Sequence, residues 1–169
     1  LDAWEKLGNE AYRDAALRGM DFVIISQLPS PQAGWGQQYD HNMNSAAARS
    51  YEPASVMPGQ TQQCISDLIT FFRITGNKKY LRGIPAAIEW LENSYLPKDH
   101  ISSESRQGAT HATFYELGTN RPLYAHREGT SIEKGRYWVD YEPRNFPGHY
   151  GMHTLIDVDA IKREYHLAA

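Results

Sequence analysis

The chain has 169 residues, with 17 basic and 20 acidic side chains spread without blocks and a net charge of −3. That length is enough to bury a real core, and one domain spanning 1–169 is the expectation. The charge balance argues against a polyanion-coating surface or a basic membrane-binding face, so no nucleic acid and no membrane is expected as a partner.

From Asp2 to Gln27, Trp4, Leu7, Ala11, Ala15, Met20, Phe22, Val23 and Ile25 recur at helical spacing. This predicts one long helix or two pieces broken at Gly8, stopped by Leu28-Pro29-Ser30-Pro31, where proline cannot continue the ladder. Residues 33–53, AGWGQQYDHNMNSAAARSYEP, show neither helical nor strand period. A connection longer than about 12 residues is functional or disordered more often than not, and its aromatics with Asp40, Arg49 and Glu52 favour a binding loop. Gly59 to Ile74 places Ile65, Leu68, Ile69 and Phe72 on one face and ends at Thr75-Gly76-Asn77, a helix with its C-cap. Lys78 to Tyr95 predicts a further helix whose longer part opens at Pro85, which gives an αα-hairpin with its predecessor.

Residues 97–110 are polar and predict a loop. His111 to Leu117 and Gly135 to Tyr141 are short and aromatic, as strands are, and between them lies a glycine-bounded segment, GTNRPLYAHREG. Asp157 to Tyr165 makes a last short helix with Asp157 as N-cap. No run approaches the roughly 18 apolar residues of a membrane span, and the residues from Leu1 onward do not read as a charged-then-apolar leader. Cys64, the single cysteine, sits on an apolar helical face and reads as core packing.

The chain lacks GxSxG, a P-loop and GxGxxG, so nucleophile-elbow hydrolases and nucleotide enzymes are without their local signatures. His149 and His153 stand as HxxxH, but Gly148 and Gly151 break any helix there and no glutamate follows the first histidine, which argues against zinc. What remains is arginine, aromatic rings and carboxylate. Arg49, Arg121, Arg127, Arg136 and Arg144 lie beside aromatics and glycines, where a guanidinium can meet a carboxylate bidentately or serve as a solvated loop staple. Eleven tyrosines and four tryptophans, with a mean hydropathy of −0.61, leave rings such as Trp35, Tyr39, Tyr51 and Tyr115 as sugar platforms or as loop anchors. The combination suggests a small acid or a carboxylated sugar as ligand.

The segments GWGQQYD, AARSYEP and FYELGTNRPLYAHREG, in that order, resemble the family 10 pectate lyases over roughly residues 5–150. The resemblance implies a mainly α fold, an (α/α) toroid of helical hairpins with short strands in the C-terminal half lining a cleft, of which this chain would be the C-terminal part or a divergent member. It implies calcium-dependent β-elimination of polygalacturonate, with Asp40 as ligand to Ca²⁺. It also implies substrate contacts from Trp35, Gln38, Tyr39, Arg49, Tyr51 and Tyr115, and uronate clamps at Arg121 and Arg127. By match to the family's later arginine motif, Arg144 would be the base. The chain departs from the family pattern at His111-Ala112-Thr113-Phe114-Tyr115, at Arg127-Glu128-Gly129 and at Pro143. Alternatives are a non-catalytic uronate-binding remnant and a lyase for another acidic polysaccharide. A polymeric substrate implies a secreted or periplasmic protein, and a monomer is expected.

Overall fold

The computed structural model describes residues 1–101, 105, 107–129 and 135–169. The N-terminal helical pattern resolves into α1 (Asp2–Leu7) and α2 (Glu10–Ile25), divided where Gly8 takes the left-handed conformation at φ 64° and Asn9 caps the next helix by accepting from Ala11 N. Such a φ suits glycine because it has no Cβ to clash. Helix α3 (Pro58–Thr75) follows and ends on Gly76 at φ 68°. A short 3₁₀ turn (Lys78–Leu81) leads to α4 (Ile84–Glu92), with Pro85 in its first turn as the sequence predicts.

The C-terminal half is built from short strands: β1 (His111–Ala112), β2 (Phe114–Tyr115), β3 (Pro122–Arg127), β4 (Tyr137–Asp140) and β5 (His153–Thr154). They form two antiparallel sheets, β1 with β5, and β2, β3 and β4 with β3 in the middle. Helix α5 (Val158–Ala168) closes the chain, capped by Asp157, whose carboxylate accepts from Ala160 N at 2.8 Å. It packs on α3 and α4 and is tied to them by Lys162 to Glu92 and Arg73 to Glu164.

One apolar cluster joins the helices to the sheets. Ile65, Leu68 and Ile69 from α3 and Ile84, Ile88, Trp90 and Leu91 from α4 meet Phe114, Tyr115, Tyr124 and Ala125 from the strands. The Trp90 and Tyr115 rings meet edge to face at 5.8 Å, a favoured geometry for paired aromatics. Val56, fully buried, bridges to Tyr115 through backbone hydrogen bonds in both directions.

The toroid is the expectation this structure overturns. The described residues form five helices and two small sheets, with about 42% of those residues helical, a mixed fold rather than a ring of helical hairpins. Two features account for the difference. Helices α1 and α2 have no fully buried residue, so they do not supply a second layer of ring. Helices α3 and α4 pack on one another and on α5, and the same apolar cluster takes in residues of the short strands β2 and β3 in place of further helical hairpins. The segment read as a polar loop at 97–110 holds a 3₁₀ turn (Lys98–His100), and its residues 102–104 and 106 lie outside the described residues.

Candidate active site

The loop 33–53 is fixed in place by residues that the family resemblance assigned to substrate. Trp35 is 1% exposed, and its Nε1 donates to Val23 O at 2.7 Å. Gly34 lies so close beneath Trp90 that a Cβ there would fall 2.7 Å from Trp90 Cζ3 and 2.6 Å from Thr61 Oγ1. The GW pair is therefore a packing device, and Trp35 offers no platform for a sugar. Tyr115 is equally a core residue, its hydroxyl donating to Ser94 O and accepting from Ala112 N. Tyr39 is half-buried, donates no ring face to the arginine sites, and receives Gly36 N at its hydroxyl at 2.8 Å. Burial raises its phenol above the ordinary value.

Asp40 is exposed and organises its own turn. Its Oδ1 accepts from Asn42 N at 2.8 Å and Asn44 N at 2.9 Å, and its Oδ2 from the Asn44 amide at 3.2 Å. Those bonds, that of Asn44 N first, hold its carboxyl below the usual range. With Trp35, Gln38 and Tyr39 it borders a cavity of about 220 Å³ beside α2, which none of Arg121, Arg127 and Arg144 lines. A calcium ion takes six to eight oxygen ligands. Among the described residues no group of three acidic, histidine or cysteine side chains is placed to hold a metal, and Asp40 has committed both oxygens to its turn. The donor set does not fit a protein-built calcium cage.

The arginines lie in separate places. Arg144 is exposed and pairs with Glu142 at 3.3 Å. Arg121 lies flat on Tyr141, its guanidinium carbon 3.4 Å from the ring centre, and the Tyr141 hydroxyl donates to Glu116 Oε1 at 2.7 Å. Arg127 stands at the other end of β3 over the ring of Tyr137, 5.2 Å from its centre. Arg127 and Tyr137 are direct partners across the β3/β4 ladder, so their side chains rise from the same face of the sheet. The buried Nε of Arg127 has no hydrogen-bond partner among the described residues.

Around Tyr137 the structure assembles what the sequence left scattered. The ring of Tyr51 packs against Tyr137 at 5.3 Å, His149 at 5.1 Å and Tyr150 at 4.9 Å. Arg49 lies 5.2 Å above the Tyr51 ring and 5.8 Å from that of Tyr150. The Tyr137 hydroxyl is 3.2 Å from His149 Nε2. Beneath them, Glu52 has a side chain only 1% exposed, yet it is fully satisfied. It accepts from Arg49 Nε at 2.7 Å, from Arg49 Nη2, from Gln37 Nε2 at 3.2 Å and from the Tyr150 hydroxyl at 3.1 Å. The Arg49 hydrogen bonds pull the Glu52 carboxyl down to about 2, and burial followed by the Glu52 hydrogen bond pushes the Tyr150 phenol up to about 12. His149 and Tyr150 also line an open cavity of about 570 Å³, together with Phe146, Gly148, Met152 and His153.

The two guanidinium groups over the tyrosine rings of Tyr51 and Tyr137 bring together groups suited to a carboxylated ring: cations for the acid, aromatic faces for the sugar. Of the expected residues, Arg49, Tyr51 and Arg127 come together, while Asp40, Arg121 and Arg144 stand apart. Sequence reading passed over Tyr137 and Tyr150 as site residues, gave Glu52 no role beyond membership of the binding loop, and weighed His149 only as a metal ligand. The alternation Tyr137-Trp138-Val139-Asp140 carried the signal for Tyr137, because a strand with Arg127 as neighbour puts both on one face.

The opposite face of the ladder carries His126, 3% exposed, with Nε2 2.9 Å from Asp140 Oδ1. Burial alone would raise the Asp140 carboxyl, but the bond from Glu142 N and the neighbouring His126 and Trp138 keep it below the ordinary value. Cys64 is buried in the core, and burial pushes its thiol up to about 11.

No curated protein matches the chain. A model of the pectic acid lyase family matches residues 11–146, a span that takes in the 33–53 loop, the FYELGTNRP segment and the β3/β4 ladder. That span is most of the chain, so the protein belongs to the pectic acid lyase family, and the function this supports is pectate lyase-like.

Proposed function

We propose that the chain binds polygalacturonate, in the manner of family 10 pectate lyases, and cleaves it by β-elimination at the Arg49–Tyr51–Tyr137–Arg127 cluster. The observation that carries this reading is the pairing of two guanidinium groups with two tyrosine rings, of which Tyr51 packs in turn on His149 and Tyr150, two residues that line a cavity of about 570 Å³. Elimination requires loss of the proton on the carbon α to the uronate carboxylate, and that proton becomes labile only when the carboxylate's charge is offset. Arg127 and the outward edge of Arg49 supply that charge, and the rings of Tyr51 and Tyr137 hold the sugar. The bidentate edge of Arg49 is already occupied by Glu52, so Arg49 orients and Arg127 is the stronger clamp.

An arginine base is the weaker part of the expectation. A guanidinium keeps its proton throughout the ordinary pH range, and Arg144 stands exposed beside Glu142, away from the Arg49 and Arg127 cluster. Calcium dependence belongs to the proposal as a property to be measured, with the ion drawing its ligands mainly from uronate carboxylates, and no step is assigned to it. A polymer of this kind does not cross membranes, so the protein acts outside the cytoplasm. No helix among the described residues is long and apolar enough to span a bilayer.

Incubating the chain with polygalacturonate and calcium should produce unsaturated ends, visible as a rising ultraviolet absorbance, and EGTA should abolish the signal. Absence of product over a range of pH and calcium would rule out the lyase reading. Calorimetric binding of oligogalacturonate without turnover would then identify a uronate-binding protein instead.

A further inference from the structure

We propose that Trp138, on the face of the ladder turned away from Arg127 and Tyr137, is a binding platform for a neutral pyranose, held ready by His126 and Asp140. Tyr137 and Trp138 are consecutive in β4, so their side chains leave the sheet on opposite faces. Trp138 pairs across the ladder with His126, and its indole lies on that imidazole with ring centres 5.4 Å apart and planes 22° from parallel. Its Nε1 donates to Asp140 Oδ2 at 3.1 Å. The other carboxylate oxygen, Oδ1, is bonded to His126 Nε2 at 2.9 Å and accepts from Glu142 N at 2.8 Å. His126 is buried and is fixed in turn by the Asn145 carbonyl, 3.3 Å from its Nδ1.

The indole is thus held from beneath and along its polar edge, yet Trp138 keeps 40% of its surface in solvent. Trp35 and Trp90 are buried and Trp4 is half-buried, which leaves Trp138 as the exposed indole of the four. It stands on the outer strand of the three-stranded sheet and is not part of the apolar core cluster. A ring that only filled space would be turned inward, whereas here a stack and a hydrogen bond orient a ring that the core does not use. Because its orientation is set beforehand, such a ring loses little freedom when a ligand settles on it.

The neighbouring charges select the ligand. Glu142 is paired with Arg144 at 3.3 Å, and Asp140 is engaged by His126, Trp138 and the Glu142 amide. A uronate placed on the indole would bring its charge up to Asp140, where the neighbouring guanidinium is already matched by Glu142. A cationic amine would have to compete with the donors that Asp140 and Glu142 already hold. A neutral pyranose meets neither obstacle, since its C–H face covers the indole and its hydroxyls need only an acceptor. A carboxylate has about four acceptor positions, and the three bonds to Asp140 leave one on Oδ2, beside the indole edge, on a side chain that is 44% exposed. Binding there is independent of β-elimination, because the Arg127 and Tyr137 side chains rise from the other face of the ladder.

The test follows N–H correlation spectra of the wild-type chain as cellotetraose or galactotetraose is added, with tetragalacturonate and tetraglucosamine as acidic and basic counterparts of the same length. The Trp138 Nε1–H peak is identified by its absence from Trp138→Phe. It should shift saturably with at least one neutral oligomer, and either charged oligomer should need at least about tenfold more to move it equally. Calorimetry with the same neutral oligomer should show Trp138→Ala binding at least about tenfold more weakly, in a chain that thermal unfolding shows to be folded. If the alanine variant does not fold, the wild-type peak decides alone. A Trp138 peak unmoved by both neutral oligomers in the millimolar range overturns the platform, as does unchanged affinity in a folded Trp138→Ala. An equal or stronger response to tetragalacturonate or tetraglucosamine overturns the assignment to a neutral sugar.

Discussion

Arg49 and Glu52 face one another across a single turn of loop, with Nε 2.7 Å from Oε2 and Nη2 on the other carboxylate oxygen. The carboxylate is buried and the guanidinium is not, so the pair fixes one edge of the arginine and leaves its other edge to solvent. Removing either partner therefore acts on both stability and binding geometry.

Glu52 supports stability in a pH-dependent way. Its folded carboxyl lies near 2, below the ordinary 4.5, so its contribution is complete above about pH 4.5 and disappears as pH falls toward 2. Because Arg49 is more than half exposed, the contribution is discounted to about 1–2 kcal/mol. Glu52→Gln should lower unfolding free energy by that amount at pH 7, and the gap from wild type should close between pH 4.5 and 2. Urea titrations across that interval check the sign; a gap that widens on acidification would contradict it.

Gly34 is confined by packing alone. An added Cβ would lie 2.6 Å from both Thr61 Oγ1 and Val56 Cγ2 and 2.7 Å from Trp90 Cζ3. Gly34→Ala should cost about 1–3 kcal/mol by overpacking. Thermal denaturation reads the loss, and a variant as stable as wild type would show that Trp90 can yield.

Asn120 is a structural residue inside the TNRP segment. Its backbone has φ 58°, and its side chain accepts from Trp90 Nε1 at 2.7 Å and Gln32 Nε2 at 3.1 Å while donating to Ser94 Oγ at 3.0 Å. Asn120→Gly accommodates the φ but leaves those groups without their partner, at about 1–3 kcal/mol; Asn120→Ala adds about 1 kcal/mol of left-handed strain. The order of unfolding midpoints should be wild type, then glycine, then alanine. Equal losses in both variants would remove the backbone contribution.

Arg121, just before β3, and Arg127, its last residue, stand about 20 Å apart, six residues of extended chain. They cannot clamp one uronate. Arg127→Ala should weaken short and long oligogalacturonates alike, whereas Arg121→Ala should weaken only chains long enough to reach Tyr141. Calorimetry over a series of oligomer lengths separates these cases, and equal effects of Arg121→Ala on every length would contradict the spacing.

The helices were legible because they carry their own punctuation. Gly8, Gly76, Pro85 and Asp157 mark ends that the structure reproduces to within a residue or two. The strand β3 was hidden because Pro122-Leu123-Tyr124-Ala125-His126-Arg127 is buried on both faces at its centre and so shows no alternation, and because glycines bound the segment. The toroid failed because it was implied by resemblance, while the local pattern established only one αα-hairpin. At the site, the cationic and aromatic residue types were visible, but their partners depend on the β3/β4 register and on the 149–150 segment folding back over the 33–53 loop. That is why Trp35 and Tyr115 were expected at the substrate, Glu52 was placed in the binding loop without a role of its own, and His149 was weighed only as a metal ligand.

The central strand of the three-stranded sheet is, in effect, a measuring rod between two cationic stations. Its length cannot be tuned gradually: one inserted residue would turn Arg127 away from Tyr137 to the far side, so any change in reach must come two residues at a time and in both hairpin partners together. Variants of this protein suited to longer or shorter repeats would therefore differ by paired insertions around β3 and β4, with the loops left alone.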